Sequence, residues 1–151
     1  MADKRTGLDC KLYVGTALLT SADASTQSGS WVESTIARDV TTGNEKAEAD
    51  ISSRGSTYRQ RKTTLKDAPI EGELVYDTDD YTFQAMRDAY NNNTELAMAA
   101  MDRGITTVGA QGLAGNFEIL SFVRNEPLEG GVTITFRAVP SAHTHWYTKG
   151  T

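Results

Sequence analysis

The sequence predicts an antiparallel β protein with one packed helix, and three stretches carry that prediction. APIEGELVYD, residues 68–77, alternates strictly: Ile70, Gly72, Leu74 and Tyr76 fall on one face, Glu71, Glu73, Val75 and Asp77 on the other, the period of a strand buried on one side. VTITFRAVP, residues 132–140, repeats the pattern, with Val132, Ile134, Phe136 and Ala138 inward and Thr133, Thr135 and Arg137 outward. Between them Phe83, Met86 and Tyr90 recur at helical spacing, which predicts a helix over about 79–90. Asp77 or Thr78 can cap it, and Asp79 and Asp80 suit the positive end of its dipole.

The remaining elements follow in order. Residues 10–15 alternate weakly and read as a first strand, followed by a Ser/Thr/Ala/Gly loop over 20–30. Trp31 opens WVESTIARDV, where Trp31, Ile36 and Val40 supply apolar contacts. From Thr41 to Lys62 the chain is polar and strand-like in residue type, with TGN and RGS as turn signals and almost no apolar face to bury. NNN at 91–93 ends the helix, and ELAMAAMD and GNFEILSFVRNE predict two further strands, the second joined to VTITFRAVP across PLEGG. GAQGLAG, residues 109–115, reads as a flexible strand connection, its glycines wrongly spaced for a phosphate or dinucleotide loop. Pro140 is expected to close the last strand, leaving SAHTHWYTKGT, 141–151, as a C-terminal arm with Trp146 and Tyr147 available for a partner subunit.

A length of 151 residues, 38% hydrophobic and 23% charged, fits a single domain over 1–151 with one core. Cys10 is the only cysteine, so no disulfide forms within the chain, and the residue reads as a buried free thiol. Lys4 and Arg5 precede the apolar run LYVGTALL, but Asp9 and Lys11 crowd it, which argues against a secretory signal. No apolar stretch approaches the roughly 20 residues of a membrane span, and the expectation is a protein made and kept in a cytoplasm, with no membrane partner.

The net charge of −5 is unevenly placed. Residues 41–66 hold six basic residues against three acidic ones, and residues 67–80 hold six acids and no base. A basic projection on an acidic body can bind copies of itself head to tail. Catalytic chemistry is thin. His143 and His145 could share a strand face toward a metal but have no third ligand nearby in sequence. Glu71 and Glu73 share an exposed face with nothing to raise a pKa, and DTDD lacks the glycine and terminal glutamate of a calcium loop. Arg54, Arg59, Arg61 and Lys62 have only Tyr58 as an aromatic neighbour, too little for a nucleic-acid platform. The expectation is no enzyme, no cofactor and no metal.

Taken together, Trp31 followed by ARDVT, EADISSRGS, TTLKDAPIEGELVYDTDDYTFQAMRDAY, ELAMAAMD and FEILSFVRNEPLEGGVTITFRAVP resemble, in order and spacing, the major tail tube proteins of long-tailed bacteriophages. GLDCKLYVG resembles that family's opening strand; the histidine-bearing tail and the loop at 20–30 depart from it. The resemblance implies a β-sandwich or small barrel with one flanking helix, related to the tube proteins of contractile tails and type VI secretion. It implies hexameric rings whose inner sheets join into a continuous barrel, stacked into a tube that conducts DNA, without specific binding, and the tape-measure protein. Tail-tip and terminator proteins become the other partners, the virion the final location and the host bacterial cytoplasm the place of synthesis.

The resemblance also implies a hairpin reaching from one ring to the next. Here it would lie within about 41–66 and offer Glu45, Lys46, Glu48, Asp50, Arg54, Tyr58, Arg59, Arg61 and Lys62 to a neighbour. Glu71 and Glu73 are the candidates for the lumen, on alternation alone. The alternative is a small monomeric binding or decoration module that uses the basic hairpin for an acidic ligand.

Overall fold

The computed structural model describes residues 4, 6–23 and 30–150. Nine strands and one helix follow in the order β1 (Lys11–Gly15), β2 (Trp31–Glu33), β3 (Ala37–Thr42), β4 (Glu45–Asp50), β5 (Arg61–Asp67), β6 (Ile70–Val75), α1 (Tyr81–Asn92), β7 (Glu95–Met101), β8 (Gln111–Asn125) and β9 (Thr133–Thr148). Among the described residues seven strands form one antiparallel sheet in the order β2-β1-β7-β8-β9-β6-β3, and β4 pairs only with β5 in a separate ribbon. The expected antiparallel fold with one helix is what forms. The loop expected over 20–30 lies in the main outside the described residues.

The long β8–β9 hairpin divides the sheet in two. Its open end, where Gln111 to Ala114 pair with Thr148 to His145, is flanked by β7, β1 and β2. Its turn end, where Ile119 to Asn125 pair with Ala138 to Thr133, is flanked by β6 and β3. Register shifts between Ala114 and Phe117 and between Ile119 and Ser121 separate the two regions, and bulges of this kind bend strands. Both halves turn apolar side chains to one core: Leu12, Val14, Met98 and Leu113 from the first, Ile70, Leu74, Ile134 and Phe136 from the second.

Helix α1 closes that core with Phe83, Met86 and Ala89. Phe83 meets Tyr76 edge to face at 5.3 Å and Phe122 at 5.6 Å. Asp80, not Asp77 or Thr78, is the N-cap, its carboxylate accepting from the Thr82 N–H at 2.9 Å. Asn93 ends the helix in the left-handed region, φ 55°, its N–H donating to Ala89 O. Tyr90 is half-exposed and stacks on Phe122, so it borders the core instead of filling it. Thr133 is buried, against the outward placement expected for it.

The first half-sheet is covered on its other face as well. Tyr13, Ala99, Met101, Ala114 and Tyr147 form a second apolar cluster with Ile105, whose N–H donates to the Tyr13 hydroxyl at 3.2 Å. Leu19, 3% exposed, is held against β8 by the Asn116 carboxamide. Three expectations are corrected in this region. Pro140 does not end β9, which runs on to Thr148: the β6–β9 ladder stops at the Ile70–Ala138 pair, so one side of β9 beyond that point tolerates a residue without an N–H. Residues 141–148 are therefore sheet, Tyr147 is buried, and Trp146 donates to the Gln111 side chain at 3.0 Å. Gly112 and Gly115 of GAQGLAG are no flexible link either but lie within β8, where a Cβ on Gly112 would sit 2.0 Å from the Ala100 carbonyl oxygen and one on Gly115 2.7 Å from the Thr144 Cα. Finally, Cys10 is exposed just before β1, its thiol directed to the Thr6 carbonyl oxygen.

Candidate assembly surfaces

The ribbon β4–β5 springs from the end of the β3–β6 pair, where the Gly43 N–H donates to Pro69 O at 2.9 Å. Every residue of β5 and all of β4 but Ala49 are exposed, including Leu65 at 82%. At its tip the Ser52 hydroxyl bonds across to Gln60, and Tyr58 is 81% exposed. The Asp50 carboxyl is held below the usual carboxylate range by the Ser52 hydroxyl and then by the Ser52 N–H, at 2.9 Å. Two ion pairs link the strands and tip, Arg61 to Glu48 at 3.5 Å and Arg59 to Asp50 at 4.0 Å. A two-stranded ribbon without a buried face is marginal by itself in water, so its energetics point to a partner surface.

The second half-sheet, β3-β6-β9-β8, supplies another unfilled surface. Its inner face is core, and its outer face carries Glu71, Glu73, Thr135, Arg137 and Val123 on paired strands. Glu71 accepts from Arg137 Nε at 2.8 Å and Glu73 lies 3.8 Å from Arg38 Nη1, so each carboxylate sits beside a guanidinium. Among the described residues this half-sheet has a free edge on each side: β3 pairs only with β6, and residues 119–125 of β8 pair only with β9. Leu120 and Val123 on the β8 edge are about half exposed. Alongside the β3 edge runs a groove of about 650 Å³ lined by Leu12, Ser34, Ala37, Val40, Met101 and Trp146. The Ser34 hydroxyl is buried there without a hydrogen-bond partner among the described residues.

The sequence-selected residues thus fall in two places. Glu45, Lys46, Glu48, Asp50, Arg54, Tyr58, Arg59, Arg61 and Lys62 all lie on the ribbon or its tip, and Glu71 and Glu73 lie on the open sheet face. The two free edges were not visible in sequence, because only strand order reveals which strands stand last. His143 and His145 lie in β9, with His145 Nδ1 2.9 Å from His143 O, and among the described residues no group of three or more His, Cys, Asp or Glu is placed to hold a metal. Among the described residues no helix is long and apolar enough to cross a membrane.

This architecture is similar to that of solved virion structures. The SPP1 tail tube, determined by solid-state NMR and cryo-EM, superposes with a TM-score of 0.73 at 15% identity, covering 98% of this chain and 81% of that one. The tail of an empty gene transfer agent particle, refined helically with C6 symmetry, gives 0.71 at 17% identity over 95% and 98% of the two chains. The chain has the phage tail-tube fold. A chain of the six-fold symmetrised anti-feeding prophage baseplate is similar more distantly, with a TM-score of 0.58 at 4% identity over 97% of each chain. No protein-family model and no curated protein sequence matches this chain. The tail-tube fold is therefore established by three-dimensional similarity, at identities where side chains have largely diverged.

Proposed function

We propose that this protein is the structural subunit of a tail tube: copies close into hexameric rings, and the rings stack into a conduit for DNA and the tape-measure protein. The observation that carries the reading is the half-sheet β3-β6-β9-β8, with its open polar face and a free edge on each side. Pairing the β3 edge of one copy with the 119–125 edge of the next is a heterologous contact that repeats and closes into a ring, removing both edges from solvent. A strand laid on β3 would also cover the groove beside Ser34. The six-fold symmetry of the gene transfer agent tail supports six copies.

In this ring the open face becomes the lumen wall. Glu71 and Glu73, each balanced by an arginine, give a wall of mixed sign that holds no strong attraction for phosphates, so a duplex slides without sticking. The ribbon β4–β5 reaches the next ring. The protein is made in the bacterial cytoplasm and ends in the virion, where the tail-tip and terminator proteins bound the tube.

Negative-stain electron microscopy of the purified protein at rising concentration tests the proposal, beside a variant with residues 44–62 replaced by a short Gly/Ser linker. Rings and hollow tubes are expected from the native chain, and rings without tubes from the variant. A native chain that stays monomeric at every concentration, and on added tail tips, would return the ribbon to a small binding module.

A further inference from the structure

The register of the ribbon sorts its charges onto two faces. Lys46 stands opposite Lys66 and Ala49 opposite Lys62, while Glu45 stands opposite Asp67, Glu48 opposite Thr63 and Asp50 opposite Arg61. Because side chains alternate along a strand, Lys46, Lys62 and Lys66 share one face with Ala49 and Thr64 and with no carboxylate. The other face holds Glu45, Glu48, Asp50 and Asp67 with Arg61 and Leu65. Two cross-strand pairs, Lys46 with Lys66 and Glu45 with Asp67, are of like charge, an arrangement that weakens an isolated ribbon. Opposite charge brought by a partner would relieve it.

The matching charge lies at the other end of the same half-sheet. The ribbon leaves beside Ile70, at the start of β6. At the far end, about 17 Å away along the strand, Tyr76 donates its N–H to Val132 O, which brings residues 77–80 beside the β8–β9 turn. Asp77, Asp79, Glu126 and Glu129 are exposed there, and Arg124, 3.3 Å from Glu126, is the cation of that rim.

We infer that the lysine face of the ribbon, Lys46, Lys62 and Lys66, seats on the acidic rim formed by Asp77, Asp79 and Glu129 of a second copy. The inference rests on the tube reading and deepens it by assigning the two surfaces that meet between rings. Because ribbon and rim occupy opposite ends of one half-sheet, each copy is left with one unused ribbon and one unused rim, and the contact propagates along an axis. Attraction between the two ends orients the rings before contact, so stacking weakens as salt screens it.

Two charge-reversed chains test this. One carries Lys46→Glu, Lys62→Glu and Lys66→Glu; the other carries Asp79→Lys and Glu129→Lys, which spares the Asp80 cap. Circular dichroism confirms that each folds. Each alone is expected to need a roughly tenfold or higher concentration to form tubes than the native chain, while still forming rings. An equimolar mixture should restore tubes near the native concentration, since the reversed ribbon of one chain then meets the reversed rim of the other. Tubes from either variant alone at the native concentration, or no recovery on mixing, would overturn the assignment and leave the tube reading standing. A native chain that forms no tubes at any concentration, with or without added tail tips, would remove both.

Discussion

The carboxamide of Asn116 holds Leu19 by both of its backbone groups: Leu19 N–H donates to Asn116 Oδ1 at 2.8 Å, and Asn116 Nδ2 donates to Leu19 O at 3.0 Å. Asn116 is 3% exposed, so this pairing fixes the chain after β1 against β8 in a buried setting. Asn116→Leu would strand two buried peptide groups without partners. The expected loss is about 2–4 kcal/mol, read as an earlier urea midpoint. Leu19→Ala, which keeps the hydrogen bonds and empties the apolar site, should cost a similar amount through the cavity.

Gly112 offers a sharper steric case. With the Ala100 carbonyl oxygen 2.0 Å from where its Cβ would lie, Gly112→Ala must push β7 from β8 at the Met101–Gly112 pair that ends their ladder. Destabilisation of about 3 kcal/mol is expected. Gly131→Ala, with open space around the site, should stay within about 0.5 kcal/mol of the native chain in the same thermal melt.

At the start of α1, Asp80→Ala should cost about 1 kcal/mol, because the Thr82 N–H loses its acceptor. Asp77 accepts from the Asp79 N–H in the turn before the helix, at 3.1 Å, and Asp77→Ala should cost less. Equal losses from the two variants would mean that the turn, and not the cap, limits the helix end.

These positions also mark where sequence reading succeeds and where it stops. Ile70 to Tyr76 was legible because β6 is buried on one face only, so its alternation is written in residue type. β7 is buried on both faces, and its run of Leu, Ala and Met does not say which side chain enters which cluster. Gly112 and Gly115 look like loop residues until the neighbouring backbones are in place, and Pro140 looks like a terminus until the β6–β9 ladder is seen to stop at Ala138. The ribbon was legible as a polar hairpin. Its division into a lysine face and a carboxylate face depends on the Lys46–Lys66 register, which the bulge after Lys46 sets.

Tyr147 links the second apolar cluster to alkaline pH. Burial, and then the charge of Asp23, pushes its hydroxyl above the usual tyrosine value. A group whose folded pKa is raised stabilises the fold fully below its unfolded pKa and loses that contribution as pH rises through the folded value. Stability should therefore begin to fall above about pH 10, and Tyr147→Phe should flatten that fall in melts run from pH 8 to 11.5.

The open face of β6 and β9 can be tested through its ion pairs. Glu71 and Glu73 are exposed or half-buried beside Arg137 and Arg38, and pairs of this kind contribute little to stability, about 0–1 kcal/mol. Glu71→Gln with Glu73→Gln should leave the melting temperature almost unchanged. It would strip the face of both carboxylates and leave Arg38 and Arg137 to attract phosphates. If this face lines a lumen, tubes of the double variant will retain a short DNA duplex at low salt, shielded from nuclease, and release it as salt rises. Native tubes will not retain it. Duplex that binds the variant tubes but remains open to nuclease would place Glu71 and Glu73 on the outer surface instead.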